Sequence, residues 1–439
     1  MKFIAAAACA AVVLAGTASP LAAQVGNPAT PRVGTITTSP VGPPAPPSVF
    51  TPAPRMDPLP SSLTLAQALE EAAARSPAVV AAQAEVAAAE ARLRQSGYRS
   101  NPELSLEVED FAGTGELRGL RRTQTTVAVN QRLDLGGRRP ARIATARAVL
   151  DVQKLRFAIA RADLFQSVRE QFARAIAARE KLAQVTENEE RARELARVAG
   201  ILVDAGREPP LRALRARSAL AQVQAQREAA GADEMVARSS LAALFGVSTP
   251  LGAVNGTTLD IRPQQINPDR SLDVRLADAE QLSAQAVVRQ QLAERRVDPA
   301  VGVGVRHIRE TGDVGLVAGV SIPLRVFDRN QGNIEAARQA LAAADARRAS
   351  TLATTTARAR NAIANVEAAQ HRVEALEKAA VPEATEALRL AELSYREGRA
   401  TLLELLDVQN AYTSSRAALT DARLALALAT AELGRIAAQ

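Results

Sequence analysis

Two carboxylates, Glu404 and Asp407, have the clearest arrangement for chemistry in this sequence. They lie three residues apart in a stretch with helical periodicity, so both belong to the same face of a helix, one turn apart. Carboxylates that face a narrow lumen attract cations, which is one interpretation of the pair. The other interpretation is a solvated helix face, which requires no special function.

Catalytic and metal-binding motifs are not recognisable in the sequence. His307 and His371 are its two histidines, and they lie far apart in different predicted elements. With three methionines and one cysteine, no group of residues has the composition of a metal site. Nor is there a nucleophile–base pair, a phosphate-binding loop or a zinc motif. We therefore predict a protein that is not an enzyme and has no catalytic residue, cofactor or metal site.

The two carboxylates follow a reversal between helical runs that occurs twice in the chain. One run closes with Tyr395-Arg396-Glu397-Gly398-Arg399, and the next begins at Leu402. Earlier, Asp204-Ala205-Gly206-Arg207 precedes the helical run that contains Arg212 and Arg215. Glycine suits both reversals because it accepts a positive φ. The repeated pattern of helix, glycine and helix predicts an internal duplication.

The amino-terminal residues have the features of an export signal. The start is short and basic, residues 4–18 are apolar, and Leu21-Ala22-Ala23 offers small residues for cleavage. We predict a signal peptide at 1–23 and a proline-rich segment without regular structure at 24–62. The single cysteine, Cys9, lies inside the signal, so the mature chain would contain no thiol. Export argues against nucleic acid as a partner, despite a net charge of +7.

The remainder of the chain is predicted to be two copies of one helical plan. Hydrophobic residues make up 47% of the chain and aromatic residues 3%, a composition that suits long alanine-rich helices packed closely together. Apolar residues recur at heptad spacing from Ile143 to Leu164 and from Leu405 to Leu433. We predict a first repeat at 63–246, a connecting segment at 247–271 and a second repeat at 272–439, each repeat with a helix, a strand pair and a long helical hairpin.

The strand pairs are predicted at about 101–135 and about 299–325. Apolar and polar residues alternate there, which gives a sheet one apolar and one polar face. Strands of about nine residues match a tilted strand crossing a bilayer, but four strands cannot close a barrel. Three chains would supply twelve strands with polar faces lining a pore, whereas the alternative is a soluble hairpin packed on a helix. The predicted pore-lining residues are Glu103, Glu107, Glu109, Arg132, Asp134 and Arg306.

From Leu63 onward the chain resembles the TolC family of outer-membrane efflux proteins. The most specific match is Tyr395-x-x-Gly398 followed by Leu402-Leu403-x-Leu405-Leu406-Asp407-x-x-x-Ala411. Three further stretches resemble the heavy-metal, CzcC-like branch of that family. They are Asn101-Pro102-Glu103-Leu104, Gln131-Arg132-Leu133-Asp134-Leu135-Gly136-Gly137-Arg138-Arg139 and Ser321-Ile322-Pro323-Leu324 with Phe327-Asp328-Arg329-Asn330-Gln331-Gly332.

The resemblance implies a mainly α fold with a small β part. Coiled-coil-like helical hairpins would form a periplasmic tunnel, and four transmembrane strands per chain would be pooled as a 12-strand barrel in a homotrimer. The implied function is the channel of a tripartite RND-type system in the outer membrane of a Gram-negative bacterium, exporting heavy-metal cations. Its partners would be a periplasmic adaptor protein, an inner-membrane transporter and outer-membrane lipid. Two alternatives stay open: a duct for drug efflux or type I protein secretion, and a periplasmic coiled-coil structural protein.

Residue by residue, the resemblance places the two helical reversals at the periplasmic tip, in contact with the adaptor. The tip residues are Gly206, Arg207, Tyr395, Gly398 and Arg399.

Glu404 and Asp407 resemble the acidic rings that narrow the tunnel mouth in this family. The first repeat has Arg212 and Arg215 at the corresponding positions, so charge pairing between the two tips is a further hypothesis for this gate.

The basic residues Arg118, Arg121 and Arg122 fall in the predicted outer loop. There they would contact lipopolysaccharide phosphates or simply be solvated.

Overall fold

The computed structural model describes residues 59–249, 251–256 and 267–438. The predicted signal peptide and nearly all of the predicted proline-rich segment lie outside the described residues. The first elements are β1 (Ser62–Leu63), α1 (Leu65–Arg75), α2 (Pro77–Ser96), β2 (Glu103–Glu109), β3 (Gln124–Arg132), α3 (Arg138–Asp204) and α4 (Pro210–Leu244). They are followed by β4 (Ala253–Val254), α5 (Leu272–Glu294), β5 (Ala300–Ile308), β6 (Val314–Ser321), α6 (Gln331–Ala375), a π-helical turn (Leu376–Ala380), α7 (Val381–Arg396) and α8 (Leu402–Ile436). The prediction of a mainly α fold with a small β part is confirmed, and the order of helix, two strands and long helices occurs twice.

Local sequence accounts for where several helices begin. Before α1, the Thr64 hydroxyl accepts a hydrogen bond from the Gln67 backbone N–H, and the Gln67 side chain accepts one from the Thr64 N–H, forming a capping box. Pro77 and Pro210 occupy the first turns of α2 and α4, where a missing N–H costs nothing. Pro382 lies in the first turn of α7, directly after the π-helical turn. The wider π turn accommodates a residue that cannot donate to the preceding turn of helix.

The four long strands form one antiparallel sheet in the order β2–β3–β5–β6. The two strands in the middle come from different repeats, with Val127 opposite Val305. Within the repeats, Leu106 lies opposite Val127, and Val305 lies opposite Leu316. β2 and β6 are therefore the edges of the sheet, and in the described part of the chain neither has a partner on its outer side.

The apolar face of this sheet is unusually exposed for so many aliphatic side chains. Leu104 is 75% exposed, Val303 68% and Leu316 91%, whereas Thr126 on the polar face is 5% exposed. Exposed apolar area of this extent on one face marks a surface that another apolar phase or molecule covers.

The helices next to the sheet follow the order of the strands. α2 contacts α3, α3 contacts α5, and α5 contacts α6. Farther along α3, its neighbours are α4 and α8, and α8 contacts both α6 and α7. α3 is therefore the helix that joins the two repeats along much of its length.

The largest buried cluster joins α1, α3, α4 and the parallel β1–β4 pair. Its members include Leu63, Val168, Phe172, Ile176, Leu241 and Phe245. A Cβ at Gly252 would lie 2.0 Å from the carbonyl oxygen of Ser61, so this crossing requires glycine. On α8, Leu405, Tyr412 and Leu433 are buried, as their heptad spacing predicts.

None of the described helices has a segment apolar and long enough to span a membrane.

Candidate functional site

Both helical reversals have the same backbone geometry. Gly206 and Gly398 have φ values of 69° and 74°. The Gly206 N–H donates to the carbonyl of Val203 and the Arg207 N–H to that of Leu202; Gly398 and Arg399 make the equivalent bonds. This is the Schellman motif, which satisfies the last carbonyls of a helix. Nothing lies within 4 Å of a Cβ built on either glycine, so the positive φ, rather than lack of space, requires glycine.

The two returning helices begin differently. α8 begins with a capping box, in which the Glu404 carboxylate accepts from the Thr401 N–H at 2.7 Å and from the Thr401 hydroxyl at 3.1 Å. These hydrogen bonds, the backbone one first, lower the pKa of Glu404. α4 instead begins with Pro209 and Pro210 and has no side-chain cap. The predicted gate residue Glu404 is therefore an exposed carboxylate held ionised at a helix start.

The predicted gate residues separate into paired and unpaired charges. Arg212 forms an ion pair with Glu208, one turn before it on the same segment. Arg215 and Asp407 are exposed, and no other described residue forms an ion pair or a side-chain hydrogen bond with either of them. The hypothesised pairing of arginines with carboxylates between the two tips is therefore not made among the described residues of one chain.

Tyr395 contacts residues of both repeats near the tip. Its ring is half-buried and packs on a cluster from α3, α7 and α8 that includes Leu195, Leu388 and Leu402. Burial raises the pKa of Tyr395, and the Glu208 carboxylate adds to the rise while Arg212 opposes it. Glu208, which was not predicted from sequence, thus lies close to the end of the other repeat. The sequence did contain a signal for the pair of Glu208 and Arg212, because opposite charges four residues apart can form an ion pair along a helical segment.

The other tip residues remain open to solvent. Gly206, Arg207, Gly398 and Arg399 are exposed, and Arg399 forms an ion pair with Glu397.

A polar seam links α3 to α8 beyond the tip. Arg191 and Arg416 place their guanidinium groups 5.0 and 5.5 Å from the centre of the Tyr412 ring. Glu187 forms ion pairs with both arginines at 2.5 Å, and Arg416 donates to the Tyr412 hydroxyl at 3.0 Å. Gln409 donates to Asn188 at 2.8 Å nearby. Tyr412 is one heptad after Leu405, in the predicted apolar repeat from Leu405 to Leu433, and sequence analysis missed these polar partners.

All but one of the predicted pore-lining residues lie on the polar face of the sheet. Arg306 forms an ion pair with Glu109 at 3.1 Å and donates to Thr126 at 3.0 Å and Gln124 at 3.3 Å. Glu103 and Glu107 are exposed on the same face, and Arg132 is exposed at the end of β3.

Asp134 is the exception, because it lies beyond the end of β3. It is half-buried, and its Oδ2 atom has no hydrogen-bond partner in the described part of the chain.

A buried carboxylate, Asp298, fixes the turn that follows Asp134. Asp298 accepts from the Gly136 N–H at 2.8 Å and lies 3.2 Å from Arg138. Arg138 also donates to the carbonyls of Glu294 and Arg296. Gly137 has a φ of 76° there. The second repeat thus holds the strand-to-helix turn of the first, a contact that sequence analysis did not predict.

Comparison with known proteins agrees with this architecture. The family model described as outer membrane efflux protein matches residues 68–247 and 269–439. The cobalt-zinc-cadmium resistance protein CzcC of Cupriavidus metallidurans is 30% identical over 81% of this chain and 85% of its own length. The nickel and cobalt resistance protein CnrC of the same species is 33% identical over 64% of this chain and 68% of its own length.

Among solved structures, the outer membrane protein VceC from Vibrio cholerae superposes with a TM-score of 0.72 at 20% identity, covering 85% of this chain and 96% of VceC. The fold is shared at this level of identity, and the family follows from the sequence match over both repeats. This chain belongs to the outer membrane efflux protein family, in the heavy-metal branch of the TolC-like proteins.

Proposed function

We propose that this chain is the channel subunit of a tripartite RND-type efflux system that exports heavy-metal cations. It would work as a homotrimer with a periplasmic adaptor protein and an inner-membrane transporter. The cargo is inferred from the relatives, whose names specify resistance to cobalt, zinc, cadmium and nickel. The observation that supports the channel is the four-stranded sheet, which has an exposed apolar face and two edges that no other strand of the described chain pairs with.

A trimeric barrel accounts for both features of the sheet. In lipid every backbone N–H and C=O needs a partner, so an open sheet edge is not tolerated there. Pairing β6 of one subunit with β2 of the next would close twelve strands into a barrel. The apolar face would then contact outer-membrane lipid, and the polar face with Glu103, Glu107, Glu109, Arg132 and Arg306 would line the pore.

The helices would extend the twelve-stranded barrel as a helical tunnel on the periplasmic side of the sheet. Since α2, α3, α5 and α6 follow the strand order, the outer helices next to the sheet are α2 and α6. Neighbouring subunits would meet along these two helices, and farther away along α4 and α7. We also propose that the duplicated units are residues 63–246 and 272–439, joined by a connecting segment at 247–271.

The gate would consist of carboxylates and arginines at the narrow end of the tunnel. Three copies of Glu404 and Asp407 give six carboxylates, which attract cations. Because Arg212 is occupied by Glu208, we propose Arg215 of one subunit as the partner of Asp407 in another. Such pairing would hold the closed state and would break on opening.

This pairing can be tested by exchanging the two charges. D407R and R215E should each raise the conductance of closed channels in planar bilayers, because each removes the attraction and places like charges together. The double variant R215E/D407R should restore the low conductance of the wild type. If the double variant conducts as much as the two single variants, the pair does not exist.

Adaptor contact would involve the exposed tip residues Gly206, Arg207, Gly398 and Arg399, with Tyr395 beside them. No atom lies within 4 Å of a Cβ built on Gly398, so the cost of G398W within the chain is the strain of the positive φ, about 1–2 kcal/mol. G398W should therefore fold and insert while hindering the adaptor. Metal export should be lost with normal amounts of protein in the outer membrane. G398A imposes the same positive φ without the bulk, so it is the control and should export normally. Normal export by G398W would remove this tip from the contact.

Metal tolerance of a strain lacking the gene tests the function as a whole. We expect selective loss of tolerance to zinc, cobalt, cadmium or nickel, with more metal retained in the cells, and recovery on expression of the wild-type chain. Sensitivity to dyes and antibiotics with normal metal tolerance would instead assign the channel to drug efflux. Heat-modifiable migration of a detergent-extracted trimer would separate either duct from a periplasmic structural protein.

Outer-membrane localisation by the predicted signal peptide at 1–23 is part of the proposal. Amino-terminal sequencing of protein from outer-membrane fractions would test the cleavage site. Recovery of uncleaved protein in the cytoplasm would contradict it.

A further inference from the structure

The end of the sheet away from the helices forms a lip that the channel function does not use. We define the lip as residues 110–123, between β2 and β3, together with residues 309–313, between β5 and β6. The two segments contact each other, since the Arg309 N–H donates to the Thr123 carbonyl at 3.1 Å. In the proposed barrel, the lip lies at the outer surface of the membrane.

Arg122 links the two segments of the lip, because it forms an ion pair with one acidic residue in each segment. Arg122 binds Glu116 at 2.6 Å and Glu310 at 3.1 Å. These contacts, led by the hydrogen bond that Arg122 donates to Glu116, raise the pKa of Arg122. A third acidic group, Asp110, accepts a hydrogen bond from Gln124 at 3.1 Å. Arg122 therefore cannot serve as a free phosphate ligand, although it lies in the predicted basic loop.

Three other arginines of the lip are free to bind an anion. The side chains of Arg118, Arg121 and Arg309 are exposed and make no hydrogen bond or ion pair with other described residues. Arg121 and Arg309 line an open concavity of about 550 Å³ together with the Arg122 cluster. Asp110 and Asp313 form no ion pair with other described residues, so the lip offers three free cations beside two carboxylates that no cation neutralises. Its four arginines and four acidic residues sum to no net charge.

Apolar side chains are interleaved with these free cations. Phe111, Leu117 and Leu120 are all exposed, and Leu117 and Leu120 directly precede Arg118 and Arg121. Large apolar side chains exposed beside arginines are typical of a loop at a lipid interface, where the apolar groups contact acyl chains and the arginines contact head groups. The lip thus continues the exposed apolar face of the sheet and places Arg118, Arg121 and Arg309 at its margin, without a carboxylate partner among the described residues.

We propose that the lip binds lipopolysaccharide of the outer leaflet, with Arg118, Arg121 and Arg309 contacting its phosphate groups. Phe111, Leu117 and Leu120 would lie against the adjoining acyl region. Arginine is suited to this because its guanidinium binds phosphate oxygens in pairs. The proposal rests on the outer-membrane placement of the sheet and is independent of the exported substrate.

Binding of fluorescent lipopolysaccharide to the full-length detergent-solubilised protein tests the proposal. We expect saturable binding by the wild type, at least tenfold weaker binding by R118Q/R121Q/R309Q, and substantial recovery in R118K/R121K/R309K. The control R275Q/R289Q/R295Q removes the same charge from exposed arginines on or directly after α5, away from the proposed subunit contact, and should bind like the wild type. Far-UV circular dichroism checks that each variant is folded.

Competition distinguishes lipopolysaccharide from other sources of phosphate. Dephosphorylated lipopolysaccharide, phosphatidylglycerol micelles and inorganic phosphate should each compete at least tenfold less well than intact lipopolysaccharide. Equal binding by the wild type and the triple glutamine variant would overturn the proposal. So would equal competition by phosphatidylglycerol or by inorganic phosphate, because the lip would then be a general anionic surface. Neither result depends on metal export, so failure here leaves the channel function unaffected.

Discussion

The two helical reversals share a backbone and differ in chemistry. Gly206 and Gly398 have nearly the same φ and make the same pair of hydrogen bonds. After the first, an arginine forms an ion pair with Glu208, whereas after the second Glu404 caps a helix. Duplication has therefore retained the geometry that reverses the chain and has changed the charges beside it. Because the two reversals have the same geometry but different charges beside them, basic residues of one repeat can attract acidic residues of the other.

The two strand-to-helix turns show the same contrast. In the first repeat, Gly137 has a positive φ, and the buried Asp298 holds the turn. In the second, Asn330 has a φ of 62°, and its side-chain amide donates to Gln291 at 2.9 Å. Both turns need a left-handed residue, but a buried charge stabilises one and neutral hydrogen bonds stabilise the other.

Removing the buried Asp298 carboxylate should cause the largest loss of stability among the changes that distinguish the two strand-to-helix turns. D298A leaves Arg138 with Glu294, at 3.6 Å, as its remaining carboxylate and the Gly136 N–H without its acceptor. We therefore expect a loss of about 2 kcal/mol in the free energy of unfolding. N330G keeps the left-handed conformation and loses neutral hydrogen bonds, at about 1 kcal/mol. Chemical denaturation followed by circular dichroism measures both. Equal losses would show that the two turns are stabilised alike.

Alanine at the reversals should show how far the two copies are equivalent. G206A and G398A each force a positive φ on a residue with a Cβ, at about 1–2 kcal/mol. The two losses should be equal because neither Cβ meets a neighbour within 4 Å. G206N and G398N should cost less, since asparagine accepts this conformation more readily. A much larger loss at one glycine would reveal contacts specific to that tip.

The capping box should distinguish the two helix starts. T401A removes the Thr401 hydroxyl, which accepts from the Glu404 N–H, and should cost about 1 kcal/mol in unfolding free energy. T401S retains the hydroxyl and should remain close to the wild type. P209A, at the uncapped start of α4, should change stability by less than T401A. The reverse order would mean that the capping box does not stabilise α8.

Low pH should remove the stabilisation that the Glu404 carboxylate gives to the start of α8, which is the smallest predicted difference between the tips. The pKa of Glu404 is lowered in the folded chain, so its contribution is present above its ordinary pKa of 4.5 and is lost as pH falls through the folded value. The midpoint of thermal unfolding should be higher for the wild type than for E404Q at neutral pH. This difference should shrink below pH 4.5. A difference independent of pH would show that the ionisation of Glu404 does not contribute to the cap.

Local chemistry made much of the fold predictable. The mainly α class, the alternation in the strands and the two glycine reversals depend on neighbours within a few residues. Capping is equally local, but sequence analysis assigned Glu404 to a gate without recognising that Thr401 also binds it. The signal was present, because threonine followed three residues later by glutamate is the capping-box pattern.

Charge partners were much less predictable. Arg122 appeared in the sequence as one of three basic loop residues, yet it is occupied by Glu116 and Glu310. Glu310 is distant in sequence, and its position depends on how β3 pairs with β5. Asp298 and Glu187 were missed for the same reason, because Arg138 and Arg416, with which they form ion pairs, lie on other elements.

The sequence by itself determined the helices, the strands, the two reversals and the resemblance to an efflux channel. These properties follow from backbone preferences and from periodic side chains, which act over one or two turns. Tertiary structure alone decided that α3 joins the repeats and that Asp298 holds a turn in the other repeat. It also decided that Arg215 and Asp407 have no ion-pair partner among the residues described for one chain. An ion pair forms wherever packing brings two charges within a few ångströms, and distances of that kind between separate elements are fixed only when the chain has folded.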